Sequence, residues 1–160
     1  MAITTAVCNS FKSELLAMTP HAAGNTYKLI LIKSSASRSY GADQTSVGES
    51  GTPTGVGTPS ASLLGTDAVP ASGTYGQTGF TLSGFSATLQ STTGCLDFAS
   101  PSAATGTTIS ADGALIYNSS QTGRTLAVYQ FSGNPIVSVG GNFTVTMPSV
   151  SASTSAIRIA

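Results

Sequence analysis

The chain has 160 residues, and six Lys and Arg balance six Asp and Glu, so only 8% of its side chains are charged. An ordinary globular protein carries about 25%. The six basic residues are scattered, which excludes the clustered Lys and Arg that a nucleic-acid binder needs to displace counterions from phosphates. Ser and Thr, nearly a third of the chain, supply the polarity instead, and a neutral surface of this kind is poorly protected against association.

This length fits one domain, 1–160, large enough to build its own core without disulfides or metal. Hydrophobic residues make up 40%, in short periodic runs unlike those of disordered segments. No run of 18 apolar residues is present to span a membrane as a helix. The opening MAITTAVCNSFKSELL lacks the basic and apolar regions of a signal peptide. Asn118-Ser-Ser and Asn142-Phe-Thr are therefore read as chance matches to the glycosylation pattern, and Cys8 and Cys95 as buried, reduced thiols.

In chain order, the spacing of Val7, Phe11, Leu15 and Met18 predicts a helix over 3–18, started by Thr4 or Thr5 and ended by Pro20. TYKLILIK, residues 26–33, reads as a strand covered on both faces, because apolar residues occupy both phases. Residues 34–79 are rich in Ser, Gly, Thr, Pro and Ala, with Leu63, Leu64 and Val69 as apolar exceptions, and read as an extended arm or large surface loop. The β-pattern returns at Phe80 and Leu82 and changes phase after Gly84 to Phe85, Ala87 and Leu89, which predicts a bulge or corner. Leu96 and Phe98 mark a short strand. Ile109, Ala111, Leu115 and Tyr117 mark one strand kinked at Asp112-Gly113. Residues 118–123 read as the turn of a hairpin returning along 124–131, and 132–135 as a loop. Phe143, Val145 and Met147 alternate with Thr144 and Thr146 as a half-buried strand, and Ile157 and Ile159 mark a last one. About seven short strands after residue 25 predict a mainly β fold, an antiparallel β-sandwich or barrel with one N-terminal helix and a long Gly/Ser/Thr/Pro-rich arm or loop. The β-rich core comprises 80–160 together with strand 26–33.

Few residues are equipped for chemistry. His21, the single histidine, has no acid close by in the sequence and reads as a surface or interface residue rather than the base of a triad. Cys8, Cys95 and His21 lack metal-ligand spacing, and Glu14, Asp43, Glu49, Asp67, Asp97 and Asp112 are far apart. Gly140-Gly141 precedes a strand pattern and reads as a turn, not a phosphate loop. Tyr40 and Tyr75 are the only candidate sugar platforms. No catalytic, cofactor-binding or metal-ligating residue is assigned, no cofactor is expected, and the chain reads as structural rather than enzymatic.

Several stretches together resemble a family of small virion structural proteins of tailed bacteriophages. They are the SFK-x-ELL pattern of Ser10–Leu16, the strand TYKLILIK, GTYGQTGFTL at 73–82, GALIYNSSQTGRTLAVYQF at 113–131, GNFTVTMP at 141–148 and the closing AIRIA. The resemblance leaves out roughly 36–70, where this chain is longer than typical members. It also departs after Phe131, where Ser132-Gly133-Asn134-Pro135 replaces a charged residue. The resemblance implies a place in the particle without a catalytic residue. The role expected from it is a capsid decoration or cement protein on the outer surface of the virion, made in the host cytoplasm. Its expected partners are the major capsid protein and itself, as a homotrimer, with no nucleic acid and no membrane. A tail, neck or fibre component is the alternative, followed by a sugar-binding adhesin module presenting Tyr40 or Tyr75.

Overall fold

The computed structural model describes residues 2–18, 21–34, 39–44, 47 and 67–160. Their elements in chain order are β1 (Ala6–Val7), α1 (Asn9–Leu16), β2 (Tyr27–Ile32), β3 (Phe80–Gln90), β4 (Thr93–Ala99), β5 (Ala104–Ala111), β6 (Gly113–Asn118), β7 (Arg124–Gln130), β8 (Ile136–Phe143) and β9 (Ile157–Ile159). Seven strands form one antiparallel sheet in the order β1-β7-β6-β2-β3-β4-β9, and β5 and β8 form a separate antiparallel pair. The large sheet curls into a nearly closed barrel. Across its seam the Tyr129 hydroxyl on β7 donates to the Ala156 carbonyl beside β9 at 2.5 Å. The fold is thus mainly β, and of the two expected architectures it is the barrel.

The central strands explain the sequence pattern. Every residue of β2 except Lys28 is buried, and so are all six of β6. Strands apolar in both phases need cover on both faces. On one face the Tyr27 ring packs against Phe85 at 5.1 Å and Phe98 at 5.2 Å between centroids. On the other, Lys28 and Tyr117 stand opposite each other, and both reach Thr78, through its hydroxyl and its carbonyl. β3 is paired with β2 only as far as Leu29. Beyond it, the Tyr75 hydroxyl accepts the Leu31 N–H at 2.9 Å, Val69 N–H reaches the Leu31 carbonyl, and Lys33 N–H reaches the Asp67 carbonyl.

The stretch 34–79, expected as an arm or surface loop, therefore has core at both of its described ends. Tyr40, Val47, Ala68, Val69 and Tyr75 are all buried. A Ser/Thr/Gly background diluted their apolar signal. Leu63 and Leu64 lie outside the described residues.

Other boundaries move for local reasons. The expected helix over 3–18 is α1 alone, and Pro20 lies outside the described residues. Residues Ile3 to Val7, mostly β-branched, are extended instead: Ile3 bridges Tyr40, and Ala6 and Val7 pair with Val128 and Ala127. Cys8, not Thr4 or Thr5, occupies the N-cap position. The expected kinked strand over 109–117 is two strands in different sheets, parted at Asp112, whose N–H bonds the Ile32 carbonyl and whose carbonyl accepts from Phe131. The strand expected over 143–147 ends at Phe143 and begins at Ile136. Gly140-Gly141 is not a turn but part of β8, where φ of +65° at Gly140 accommodates an extra residue opposite β5. The phase change at Gly84 is a bulge, with the β3–β4 register slipping between Ser83 and Ser86 and a φ of +66° at the glycine.

Candidate functional site

α1 has only eight residues, and its burial is inverted. Phe11 and Glu14 face inward, whereas Leu15 is 40%, Leu16 88% and Met18 90% exposed. The expected stripe of Val7, Phe11, Leu15 and Met18 therefore does not form a single buried face. A helix that buries a carboxylate and shows leucine to solvent has reversed the usual preference, and both halves of that reversal have a structural counterpart.

Inward, Glu14 is the hub of a polar cluster. One carboxylate oxygen lies 2.7 Å from His21 Nε2, and the other binds the Arg124 guanidinium. The Asn118 side-chain nitrogen is 3.2 Å from His21 Nδ1. An amide N–H donates, so Nδ1 accepts and the ring hydrogen sits on Nε2, directed at Glu14. The Phe11 ring meets the imidazole edge-on at 5.0 Å. Asn118 also accepts the Ser120 N–H, which starts the short 3-10 turn between β6 and β7. The cluster ties α1 and the segment after it to the β6–β7 hairpin, and a buried charge held by two partners avoids the penalty of an unpaired one.

His21 was expected at a surface or interface with no acid beside it. Its side chain is instead 2% exposed, and Glu14, seven residues upstream, pairs with it. The sequence carried one signal for this: Glu14 follows Phe11 at the spacing that shares a helix face. Both ring nitrogens are engaged, so neither is presented to a substrate. The Asn118 side chain is buried as well, which agrees with reading Asn118-Ser-Ser as a chance match.

Outward, α1 walls an apolar cleft of about 340 Å³ between the helix and the β3, β4 and β9 end of the barrel. Phe11, Leu15, Phe85, Leu89, Leu96 and Ile159 line it together with His21. Leu89 and Ile159 are 73% and 43% exposed. Leu15, Leu89 and Ile159 are therefore exposed apolar side chains at the cleft, and Leu16 and Met18 add exposed apolar surface at the end of α1, next to the exposed Lys12.

The remaining candidates disperse. Cys8 and Cys95 are buried free thiols, Cys8 facing the Gly41 carbonyl and Cys95 the Ser151 carbonyl. They do not converge on His21. Burial, with the Glu14 charge adding and Lys12 opposing, pushes the Cys8 thiol up to about 12, so it stays protonated and unreactive. Asp43 accepts from Asn9, Asp67 from the Tyr40 hydroxyl and Asp112 from Ser34 N–H. Asp97 is buried with one carboxylate oxygen on the Phe98 N–H. Glu49 lies outside the described residues. Among the described residues no three His, Cys, Asp or Glu side chains gather as a metal site. Tyr40 and Tyr75, the expected sugar platforms, are 2% and 1% exposed. They are core residues, because each hydroxyl finds an internal acceptor or donor that lets the ring go inside.

Fold and site together define a nearly closed antiparallel barrel with a docked helix and an apolar cleft beside it. Compared with models of protein families, with curated proteins and with solved structures, the chain matches none.

Proposed function

We propose that this chain is a virion structural protein, a capsid decoration or cement protein that bridges neighbouring copies of the major capsid protein and holds the mature head together. The observation that carries the reading is the inverted helix. Leu15, Leu89 and Ile159 are exposed at an apolar cleft, and Leu16 and Met18 stand in solvent at the end of the same helix, on a chain with only 8% charged side chains. Contiguous exposed apolar surface marks protein–protein contact, and a polar but uncharged surround hydrogen-bonds across a shallow interface without desolvating ions. The phage-family resemblance of residues 10–16, 26–33 and 113–131 supplies the partner.

The action is mechanical. A subunit that binds the expanded shell and not its precursor stabilises the expanded state by mass action. Repetition over a shell multiplies a weak contact, and more so if the subunits are trimers with several attachment points.

The test is the copy number of this chain in purified particles, by quantitative mass spectrometry against the major capsid protein. A ratio near one to one, or a simple large fraction of it, is expected. A handful of copies per particle would move the chain to the neck, tail or fibre.

A further inference from the structure

β8 belongs to a ribbon of only two strands, and the two edges of that ribbon differ. The outer edge of β5 is occupied: Thr74 N–H donates to the Thr105 carbonyl at 3.1 Å, Thr105 N–H to the Thr74 hydroxyl at 2.8 Å, and Thr108 N–H to the Ser72 hydroxyl at 2.8 Å. The outer edge of β8 has no strand neighbour among the described residues. A free edge is a row of unpaired N–H and C=O groups, and proteins that need to stay apart guard it with charge, proline, a bulge or an inward-pointing ion. β8 has no such charge. No Lys, Arg, Asp or Glu occurs between Arg124 and Arg158. Its exposed large apolar side chains are Ile136 at 38%, Val137 at 59% and Val139 at 78%, and Asn142 is exposed beyond the bulge. Pro135, which lacks an N–H, bounds this window on one side, and the bulge at Gly140 bounds it on the other.

Charge decides what fits there. When identical strands pair across a two-fold axis, each edge meets itself, so a charged edge meets like charge. β9, the terminal strand of the large sheet, carries Arg158 at its centre and would set arginine against arginine. The Ile136–Val139 window is uncharged and β-branched, and is matched to itself. We infer that β8 is a self-docking edge: Ile136–Val139 pairs antiparallel with the same residues of a second copy, and the two ribbons become one four-stranded sheet. Four strands also make a more stable unit than a two-stranded ribbon. The contact is two-fold. In an assembly of trimers it links one trimer to the next, and it stands or falls independently of the virion reading.

The test uses the full chain in sedimentation velocity over a range of concentrations, with Val139→Lys, Val137→Lys and, as control, Leu16→Lys on α1. The unaltered chain is expected to form a dimer. Each β8 variant is expected to weaken it by at least about tenfold, since like charges brought together across an interface are strongly unfavourable. Leu16→Lys is expected to leave it unchanged. Circular dichroism melts establish that the variants fold. Amide exchange of the unaltered chain gives an answer independent of any variant, with the outward-facing N–H groups of Ile136–Val139 gaining protection as concentration rises. A chain monomeric at every concentration overturns the inference, even if Val139→Lys abolishes binding to a shell protein. So does a dimer lost in Leu16→Lys and retained in Val139→Lys.

Discussion

Arg124 stands opposite Asn118 in the β6–β7 ladder because β7 carries one extra residue. Ile116 pairs with Ala127, but Tyr117 pairs with Thr125 and Asn118 with Arg124. A bulge re-aims the side chains beyond it. Here it sets the guanidinium that binds Glu14 beside the amide that binds His21. The Leu126 carbonyl, within the bulge, accepts the Cys8 N–H at the start of α1. One irregularity in a hairpin thus serves both the seat of the helix and the charge it buries.

Removing the hub therefore loosens the helix. Glu14→Ala strands the buried imidazole and the partly exposed guanidinium, and a loss of about 2 kcal/mol is expected, with Glu14→Gln losing about half of that. Urea unfolding measures it. A change under about 0.5 kcal/mol in Glu14→Ala would show that the cluster is dispensable.

Two glycines separate strain from mere flexibility. Gly79 has φ of +83°, and a Cβ there would lie 2.2 Å from the Leu29 carbonyl oxygen, whereas a Cβ on Gly24 meets nothing within 4 Å. Gly79→Ala is expected to cost more than about 2 kcal/mol and Gly24→Ala less than about 1 kcal/mol. Similar thermal shifts for the two variants would contradict the close packing of residue 79 on β2.

Tyr75 tests whether residues 67–79 are core. Tyr75→Phe leaves the buried Leu31 N–H without its acceptor and is expected to cost about 1–3 kcal/mol. Tyr75→Ala also opens a cavity, for about 3–5 kcal/mol. An arm hanging free of the barrel would tolerate both changes, and denaturant midpoints distinguish the two cases.

Alkali is expected to unfold the protein in a defined window. Burial raises Tyr27 and Tyr75 from 10.0 to about 12. The folded state holds their protons more tightly than the unfolded chain, so their contribution is complete below pH 10 and is lost as pH rises towards 12. Urea midpoints followed from about pH 8 to about pH 11 should fall in the upper part of that range as tyrosinate absorbance rises. Constant midpoints with early ionisation would mean that the rings are accessible to solvent.

The strands that could be read from sequence were those with dense apolar residues. YKLILI, TLAVYQ and the phase change at Gly84 announce β2, β7 and the bulge in β3 directly. What could not be read depended on distant partners. Ile3 to Val7 follow a helical period as well as an extended one, and the Leu126 carbonyl and the β7 edge decide between them. IVSV in β8 is a short run whose pattern is weaker than the alternation in Phe143, Val145 and Met147, yet pairing with β5 selects it. The Glu14–His21 pair needed the chain to turn back between two residues seven apart, and neither composition nor spacing encodes that turn. Tyr40 and Tyr75 were misread because an aromatic in a polar stretch looks solvent-facing until its hydroxyl partner is known.

The order of the large sheet also dictates how the barrel must be assembled. β6 and β7 are neighbours in both sequence and space, so their hairpin can form as soon as it is made. β2 lies on the other side of β6, drawn from far upstream, and β9 closes onto β4 from far downstream. Long loops must be closed before these pairings return any stability. The pairing of β9 with β4 is therefore expected late in folding, and the hydrophobic interior waits on a strand of only three residues to shut it off from water.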